Sequence, residues 1–361
     1  MYRPTWAEIN LENIIGNYQS YSSMHPNKVV IPVVKANAYG HGAKHVVTAL
    51  KKIGVTLFAV SLIEEGIELR LENHDIDILV MGPISESCFK AAIENDLIVT
   101  LSNYNVALDA MKSGLPIRCH VKYDTGMNRL GFKSINELID VFNRSRSSLV
   151  SIEGIYTHFA TADQNDAILA QQNTRFVKLL KKLHYIPRIV HVSNSSGILN
   201  QEDKNKFTTH ARLGIGLYGL SLDNEKKHLK PAMTIKTKVM HLKELTKGEK
   251  VGYGANYTAL ENERIAILPI GYADGFIRAN KNGYVSIKNK KYQIIGSICM
   301  DMIFVKVDDT VSVNDTVIIM GDKIVTIDDV AKRLNTINYE IVCLISSRIP
   351  RHYIERINNE N

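Results

Sequence analysis

Lys35 closes the apolar run VVIPVVK and is followed directly by ANAYGHG. A lysine at the end of a buried strand loses solvation, which lowers its ammonium pKa and frees an amine that can attack a carbonyl. A surface lysine closing a strand is the plain alternative. Lys122 ends a second run, Arg129 follows it in KYDTGMNRLG, and His158 lies in IYTHFATAD. Asn194 and Ser195 follow HVS, and Arg212 precedes Gly214 and Ile215 in ARLGIGLYG. A hydroxyl, and backbone N–H groups beside a glycine that lets the main chain come close, are the equipment of a phosphate site. Taken singly, His158 is equally a core histidine, and Asn194–Ser195 a turn.

What joins these residues is the spacing of the elements that carry them. Short β-branched runs alternate with longer segments of helical periodicity over the first two thirds of the chain. The runs cover residues 29–35, 57–60, 76–81, 97–101, 117–123, 152–159, 188–193 and 211–219, which makes eight strands. Helical periodicity falls between them at 43–53, 64–72, 87–94, 105–112, 134–142 and 167–183, with a further helix at 11–18. Eight strand–helix units over about 230 residues are the pattern of a (β/α)8 TIM-type barrel, an α/β fold. Such barrels carry their chemistry at the C-terminal ends of the strands and bind phosphate after strands seven and eight. Lys35, Lys122, His158, Ser195 and Gly214 fall at those places. An open doubly wound sheet is the competing fold, but its GxGxxG fingerprint is missing.

From residue 233 the texture changes to alternating runs separated by Gly, Asn and Asp turns, with a helix opening at Thr326 and a hairpin turn at 288–291. The expected division is therefore a barrel over 1–232 and a smaller, mostly antiparallel β-domain over 233–361. A chain of 361 residues exceeds what one core usually supports. The formal charge of +7 is spread without a basic block, which argues against nucleic acid as a partner. Cys88, Cys119, Cys299 and Cys343 are far apart with no CxxC pair, so neither a disulfide frame nor a metal site is expected. MYRPTWAEIN has neither a basic nor an apolar leader segment, and no run reaches membrane-spanning length, so the reading is cytoplasmic, with no membrane partner.

The blocks VVKANAYGHG, HVKYDTGMNRLGF, YTHFATAD, HVSNSSG, ARLGIGLYG, VGYGANY, PIGYADG and ICMD, in this order, resemble those of the bacterial alanine racemases over essentially the whole chain. That resemblance implies pyridoxal 5'-phosphate (PLP) as cofactor, interconversion of L- and D-alanine, D-alanine supply for peptidoglycan, and a homodimer that shares its active sites. Lys35 would be the Schiff-base lysine and the base on one face of the cofactor. Tyr253, supplied by the other subunit, would be the base on the opposite face. Arg212 would face the pyridine nitrogen, with His158 behind it. Arg129 would hold the cofactor phenolate and the substrate carboxylate, the latter together with the backbone of Met300. Tyr39, Ser195, Gly214 and Ile215 would cradle the phosphate, Asn194 would also bind the cofactor, Tyr272 and Asp301 would line the entrance, and Lys122 would be carbamylated.

Racemisation removes a proton from one face of Cα and returns one to the other, so two bases must flank it. Lys35 and Tyr253 suit that pair. A phenol with a pKa of about 10 needs cationic or polar neighbours to act near neutrality, and Arg212 and His158 would supply them. Arginine rarely gives up its proton. It would leave the pyridine unprotonated and the cofactor a weaker electron sink, which favours racemisation over transamination. One departure stands out: Ser347 occupies the place of the family's tyrosine in ISSRIPR, which opens a broader-specificity or serine racemase as the alternative. A PLP-binding homeostasis protein without turnover, a PLP decarboxylase and a Schiff-base aldolase are the remaining rivals. The β-domain with Tyr253 argues against the first.

Overall fold

A computed structural model describes residues 2–164, 167–199, 205–221 and 229–355. The chain opens with β1 (Trp6–Asn10), which buries Ala7 and Ile9 on one face. The eight expected barrel strands follow as β2 (Val29–Pro32), β3 (Leu57–Val60), β4 (Asp77–Val80), β5 (Val99–Leu101), β6 (Arg118–Lys122), β7 (Ser151–Tyr156), β8 (Ile189–His191) and β9 (His210–Leu213). Six of them pair in parallel in the order β2-β9-β8-β7-β6-β5, and β3 pairs in parallel with β4. Parallel bridges Val33↔Ala59 and Leu79↔Ile98 link β2 to β3 and β4 to β5, so the eight strands close into a barrel. β3 (LFAV) and β5 (VTL) are buried at every position, because a parallel sheet is covered on both faces.

The barrel helices start where local chemistry permits. Asn103 caps Tyr104–Lys112 by accepting the Val106 N–H at 3.0 Å, and Ser134 caps Ile135–Ser145. The latter helix buries Leu138, Val141 and Phe142, an apolar stripe at helical spacing, together with Ser145.

Strands also stop earlier than their apolar runs suggest. The run 29–35 forms β2 only to Pro32, with an isolated bridge at Val33, and residues 36–39 then turn left-handed. The run 211–219 ends as β9 at Leu213, and its remainder forms a buried 3-10 turn, Ile215–Tyr218.

The remaining strands are β10 (Met233–Lys238), β11 (His241–Leu245), β12 (Lys250–Val251), β13 (Tyr257–Thr258), β14 (Glu263–Leu268), β15 (Tyr284–Ile287), β16 (Lys290–Ile295), β17 (Ile303–Val307), β18 (Thr316–Met320) and β19 (Arg351–Ile354). A nine-stranded sheet runs β11-β14-β17-β16-β15-β18-β10-β1-β19, antiparallel except for the β1–β19 pair. β15 and β16 are joined by Lys288–Asn289, both at positive φ (49° and 62°), as a tight hairpin requires. Thr326 and Asp329 form a reciprocal capping box on the helix Ile327–Arg333. A second helix, Asn338–Cys343, follows.

Packing divides the chain into two compact units. One comprises Ile14–Ala38 and Ala43–Leu229; the other comprises Met1–Asn13, Tyr39–Gly42 and Lys230–Asn361. The N-terminal strand thus departs from a simple division at 232/233, because its backbone partners are β10 and β19. No helix among the described residues is long and apolar enough to cross a membrane.

Candidate active site

Lys35 sits where the chain leaves β2 and winds left-handed. Ala36, Asn37, Ala38 and Tyr39 have φ of 51°, 51°, 55° and 50°. This conformation costs L-residues roughly 1–2 kcal/mol each, so neighbours must hold it. Glu65 Oε1 accepts the Ala36 N–H at 2.5 Å, Val34 O accepts the Ala38 N–H at 2.8 Å, and Asn37 Oδ1 accepts the Ala43 N–H at 2.8 Å. The other Glu65 oxygen takes the N–H groups of Ser61 and Leu62 at 2.8 and 3.0 Å, at the start of helix Ile63–Arg70.

Lys35 opens into a cavity of about 350 Å³ at the C-terminal ends of the barrel strands, lined also by Met81, Lys122, Arg129, Tyr156 and His158. Lys122 is the last residue of β6 and is 5% exposed. Burial, then the charges of Arg212 and Arg129, push its ammonium from 10.5 down to about 8. Its Nζ lies 5.4 Å from the centroid of the Tyr156 ring. Burial also pushes the Tyr156 hydroxyl up to about 12, so it stays protonated.

The loop carrying Arg129 folds onto itself. Asp124 Oδ1 accepts the N–H groups of Gly126 and Asn128, both at 3.0 Å, while Phe132 N–H donates to Lys122 O at 2.9 Å. Gly131 permits this closure: its φ is 129°, and a Cβ there would lie 2.9 Å from Lys122 O. Arg129 itself is exposed.

Arg212 on β9 is 2% exposed. Its guanidinium donates to Thr157 O and Val192 O at 2.9 and 2.8 Å, to His191 Nδ1 at 2.5 Å and to His158 Nδ1 at 3.2 Å. Burial, followed by the arginine's charge, drives His158 and His191 well below the ordinary histidine pKa, so both are neutral. Arg212 therefore donates to both Nδ1 atoms, and each imidazole carries its proton on Nε2. Gln172 steadies this corner by donating to His158 O at 3.0 Å.

Asn194 and Ser195 follow β8, and Gly214 and Ile215 follow β9. Ser195 Oγ accepts the N–H groups of Gly214 and Gly216 at 3.0 and 3.2 Å, tying the two loops together. Asn194 Oδ1 accepts the Gly197 N–H at 2.9 Å, and Ile215 is buried.

The other unit carries the remaining candidates. Tyr39 is 7% exposed and packs edge-on to Tyr339 at 6.1 Å. Tyr253 opens a 3-10 turn between β12 and β13 and is 75% exposed. Its backbone is anchored, since Tyr253 O accepts from Ser297 Oγ at 3.0 Å. Tyr272 and Met300 are adjacent: the N–H groups of Tyr272 and Ala273 donate to Cys299 O and Met300 O at 3.0 and 3.1 Å. Asp301 pairs with Arg348 at 2.6 Å. Arg348 also faces the fully buried Asp274 at 3.7 Å, whose carboxylate receives Arg3 at 2.8 Å.

With this geometry in hand, known proteins give a consistent match. Residues 9–222 match the model for the N-terminal domain of alanine racemase, and residues 232–353 match the model for its C-terminal domain. The chain belongs to the alanine racemase family. It is 37% identical to an alanine racemase of Staphylococcus epidermidis, over 99% of this chain and 97% of that one. It is 39% identical to an alanine racemase of Listeria innocua, over 98% of each. The crystal structure of alanine racemase from E. faecalis superposes with a TM-score of 0.93 at 36% identity, covering 98% of this chain and 99% of that one. The alanine racemase of Bacillus anthracis with bound L-Ala-P superposes with a TM-score of 0.92 at 32% identity, covering 99% and 96%.

Family membership leaves some residues of the site unread. Glu65 bonds the turn after Lys35, His191 bonds Arg212, and His120 bonds His191, yet reading strand ends alone missed all three. Strand parity could have found the two histidines. His120 lies two residues before Lys122 and His191 two before Ser193, so each shares a face with its strand-end neighbour.

Proposed function

We propose that the chain interconverts L- and D-alanine in the cytoplasm with PLP, with Lys35 and Tyr253 as the two bases, and so supplies D-alanine for peptidoglycan. The observation that carries this reading is the convergence of Lys35, Lys122, Arg129 and His158 on one cavity, with neutral His158 held by Arg212. A volume of about 350 Å³ suits a small cofactor with its substrate, and the cationic lining suits a phosphorylated phenol.

When bound, PLP serves as an electron sink that acidifies the α-hydrogen of the amino acid. Lys35 Nζ takes or returns that proton on one face of Cα, and Tyr253 Oη does so on the other. Arg212 would face the cofactor's ring nitrogen without surrendering its proton. Tyr39, Ser195, Gly214 and Ile215 would hold the phosphate, and Asn194 would bind the cofactor beside them. Arg129 would hold the cofactor phenolate and, with the Met300 backbone, the substrate carboxylate. Tyr272 and Asp301 line the entrance. The functional division is residues 1–232 for cofactor binding and 233–361 for the opposing base and the entrance.

The exposed Tyr253 belongs to the cavity of a second copy, which makes the homodimer the active species. Met300 and Tyr272 are likewise exposed, at 52% and 39%, and free to meet a second copy. Lys122 is carbamylated: its neutral amine adds to CO2, forming an N–C bond and releasing one proton. The resulting anion faces Arg129 in place of a like charge. A broader substrate range, including serine, is favoured by exposed Ser347 where the family pattern has tyrosine.

The test is direct. Purified, PLP-loaded protein should convert L-alanine to D-alanine, and Lys35→Ala should abolish both turnover and the covalent cofactor absorbance. Failure to racemise any amino acid in a panel would overturn the reading.

A further inference from the structure

We propose that His120 is a positioning residue for the reaction, orienting His191 so that His191 holds the Arg212 guanidinium at its working angle. This rests on the reading above, in which Arg212 serves the cofactor ring. Each hydrogen bond linking these three side chains has a fixed direction. Arg212 is a donor only, so His191 Nδ1, 2.5 Å away, is an acceptor and the ring proton sits on Nε2. That Nε2 lies 2.9 Å from His120 Nδ1, which must therefore accept, leaving the proton of His120 on its own Nε2. The chain Arg212→His191→His120 thus has one direction, and reversing either ring would set two N–H groups against each other. Neither ring is charged: burial pushes His120 down to about 3 and drives His191 well below its ordinary value.

The fold spends specific features on His120. The β6–β7 register shifts between Cys119 and His120, so that Cys119 pairs with Ile152 and His120 with Gly154. This bulge sets the fully buried imidazole over a residue with no side chain. A Cβ at Gly154 would meet the ring at 2.6 Å. His120 Nε2 is buried and finds no hydrogen-bond partner among the described residues. A leucine there would fill the space without burying such a donor, so packing alone does not explain a histidine. What only a polar ring supplies is the acceptor for His191 Nε2–H. A partner on one imidazole nitrogen fixes the ring and makes the other nitrogen a better acceptor, as in the outer shells of metal-bound histidines. His191 in turn stacks on the cavity-lining Tyr156 at 4.5 Å and 9°. Rotation of His191 would therefore disturb both Arg212 and the cavity wall.

The experiment compares wild type, His120→Leu, His120→Asn and Gly154→Ala as full-length, PLP-loaded proteins. Asparagine keeps an acceptor close to the place of Nδ1, leucine removes it, and the alanine displaces the ring without changing any polar group. The expected result for His120→Leu is a fall in kcat of about tenfold or more, with KM for alanine changed less than threefold. Its ratio of transamination to racemisation should rise about tenfold, because that ratio reports the hold on the ring nitrogen. His120→Asn should recover to within about threefold of wild type, and Gly154→Ala should resemble His120→Leu. Nitrogen-15 spectra of histidine-labelled apoprotein should show the His191 Nδ1 signal moving toward that of a weaker acceptor in His120→Leu and Gly154→Ala but not in His120→Asn. A lowered Tm with unchanged kcat, partition and His191 signal in His120→Leu would overturn the proposal, as would a failure of His120→Asn to recover when it folds. If wild type racemises nothing, the proposed function fails, while the apoprotein spectra still decide whether His120 orients His191.

Discussion

Glu65 accepts the main-chain N–H of Ala36, one residue beyond Lys35, at 2.5 Å. The same carboxylate takes the Ser61 and Leu62 N–H groups, so a single side chain ties the left-handed turn to the loop after β3. In Glu65→Gln one of these contacts becomes a meeting of two N–H donors. The expected loss is about 1–3 kcal/mol of stability. A displaced Lys35 amine should also lower kcat about 10- to 100-fold. Urea unfolding and steady-state racemisation measure the two effects; an unchanged kcat would remove Glu65 from any role in placing Lys35.

Lys122 gives a pH dependence whose sign is fixed by its depressed pKa. Its folded value, about 8, lies below the ordinary 10.5, so between these values the unfolded chain binds more protons than the folded one. Stability therefore rises with pH across that window, and the charged amine opposes folding below it. In CO2-free buffer, wild type should gain up to roughly 3 kcal/mol relative to Lys122→Met between pH 7 and pH 10.5. Denaturant titrations of the two apoproteins measure the difference, and a flat difference would contradict the assigned pKa. Carbon-13-labelled bicarbonate should add a carbamate resonance that Lys122→Met lacks.

Ser347 should widen the substrate range. It is exposed and precedes Arg348, which pairs with the entrance residue Asp301 at 2.6 Å. Ser347→Tyr should lower the serine-to-alanine ratio of kcat/KM by about tenfold, a pocket-size effect of the usual scale. An amino-acid panel assayed on both proteins decides it; identical profiles would sink the idea.

The barrel was legible because its strands are buried on both faces and read as unbroken apolar runs, as LFAV in β3 does. Strand-end chemistry was legible for the same reason, since the fold rule says where to look. β1 was not, because five residues with only Ala7 and Ile9 buried give too short a period. Its place comes from pairing with β10 and β19, far away in sequence. The left-handed turn after Lys35 was hidden too: ANAY contains no glycine to announce it, and its anchor, Glu65, arrives from another loop. His120 and His191 escaped notice because they lie within strands, where a polar residue in an apolar run resembles ordinary core.

The central claim, two bases drawn from two chains, is tested most directly by complementation. Lys35→Ala and Tyr253→Phe should each be inactive alone, Tyr253→Phe having lost its proton carrier with roughly 10²- to 10⁴-fold effect. Refolded together in equal amounts, half of the dimers are mixed, and each mixed dimer holds one intact and one doubly damaged site. Conversion of L-alanine to D-alanine should then return to about a quarter of the wild-type rate per chain. A mixture no more active than its separate components would contradict the shared site and place Tyr253 outside the chemistry.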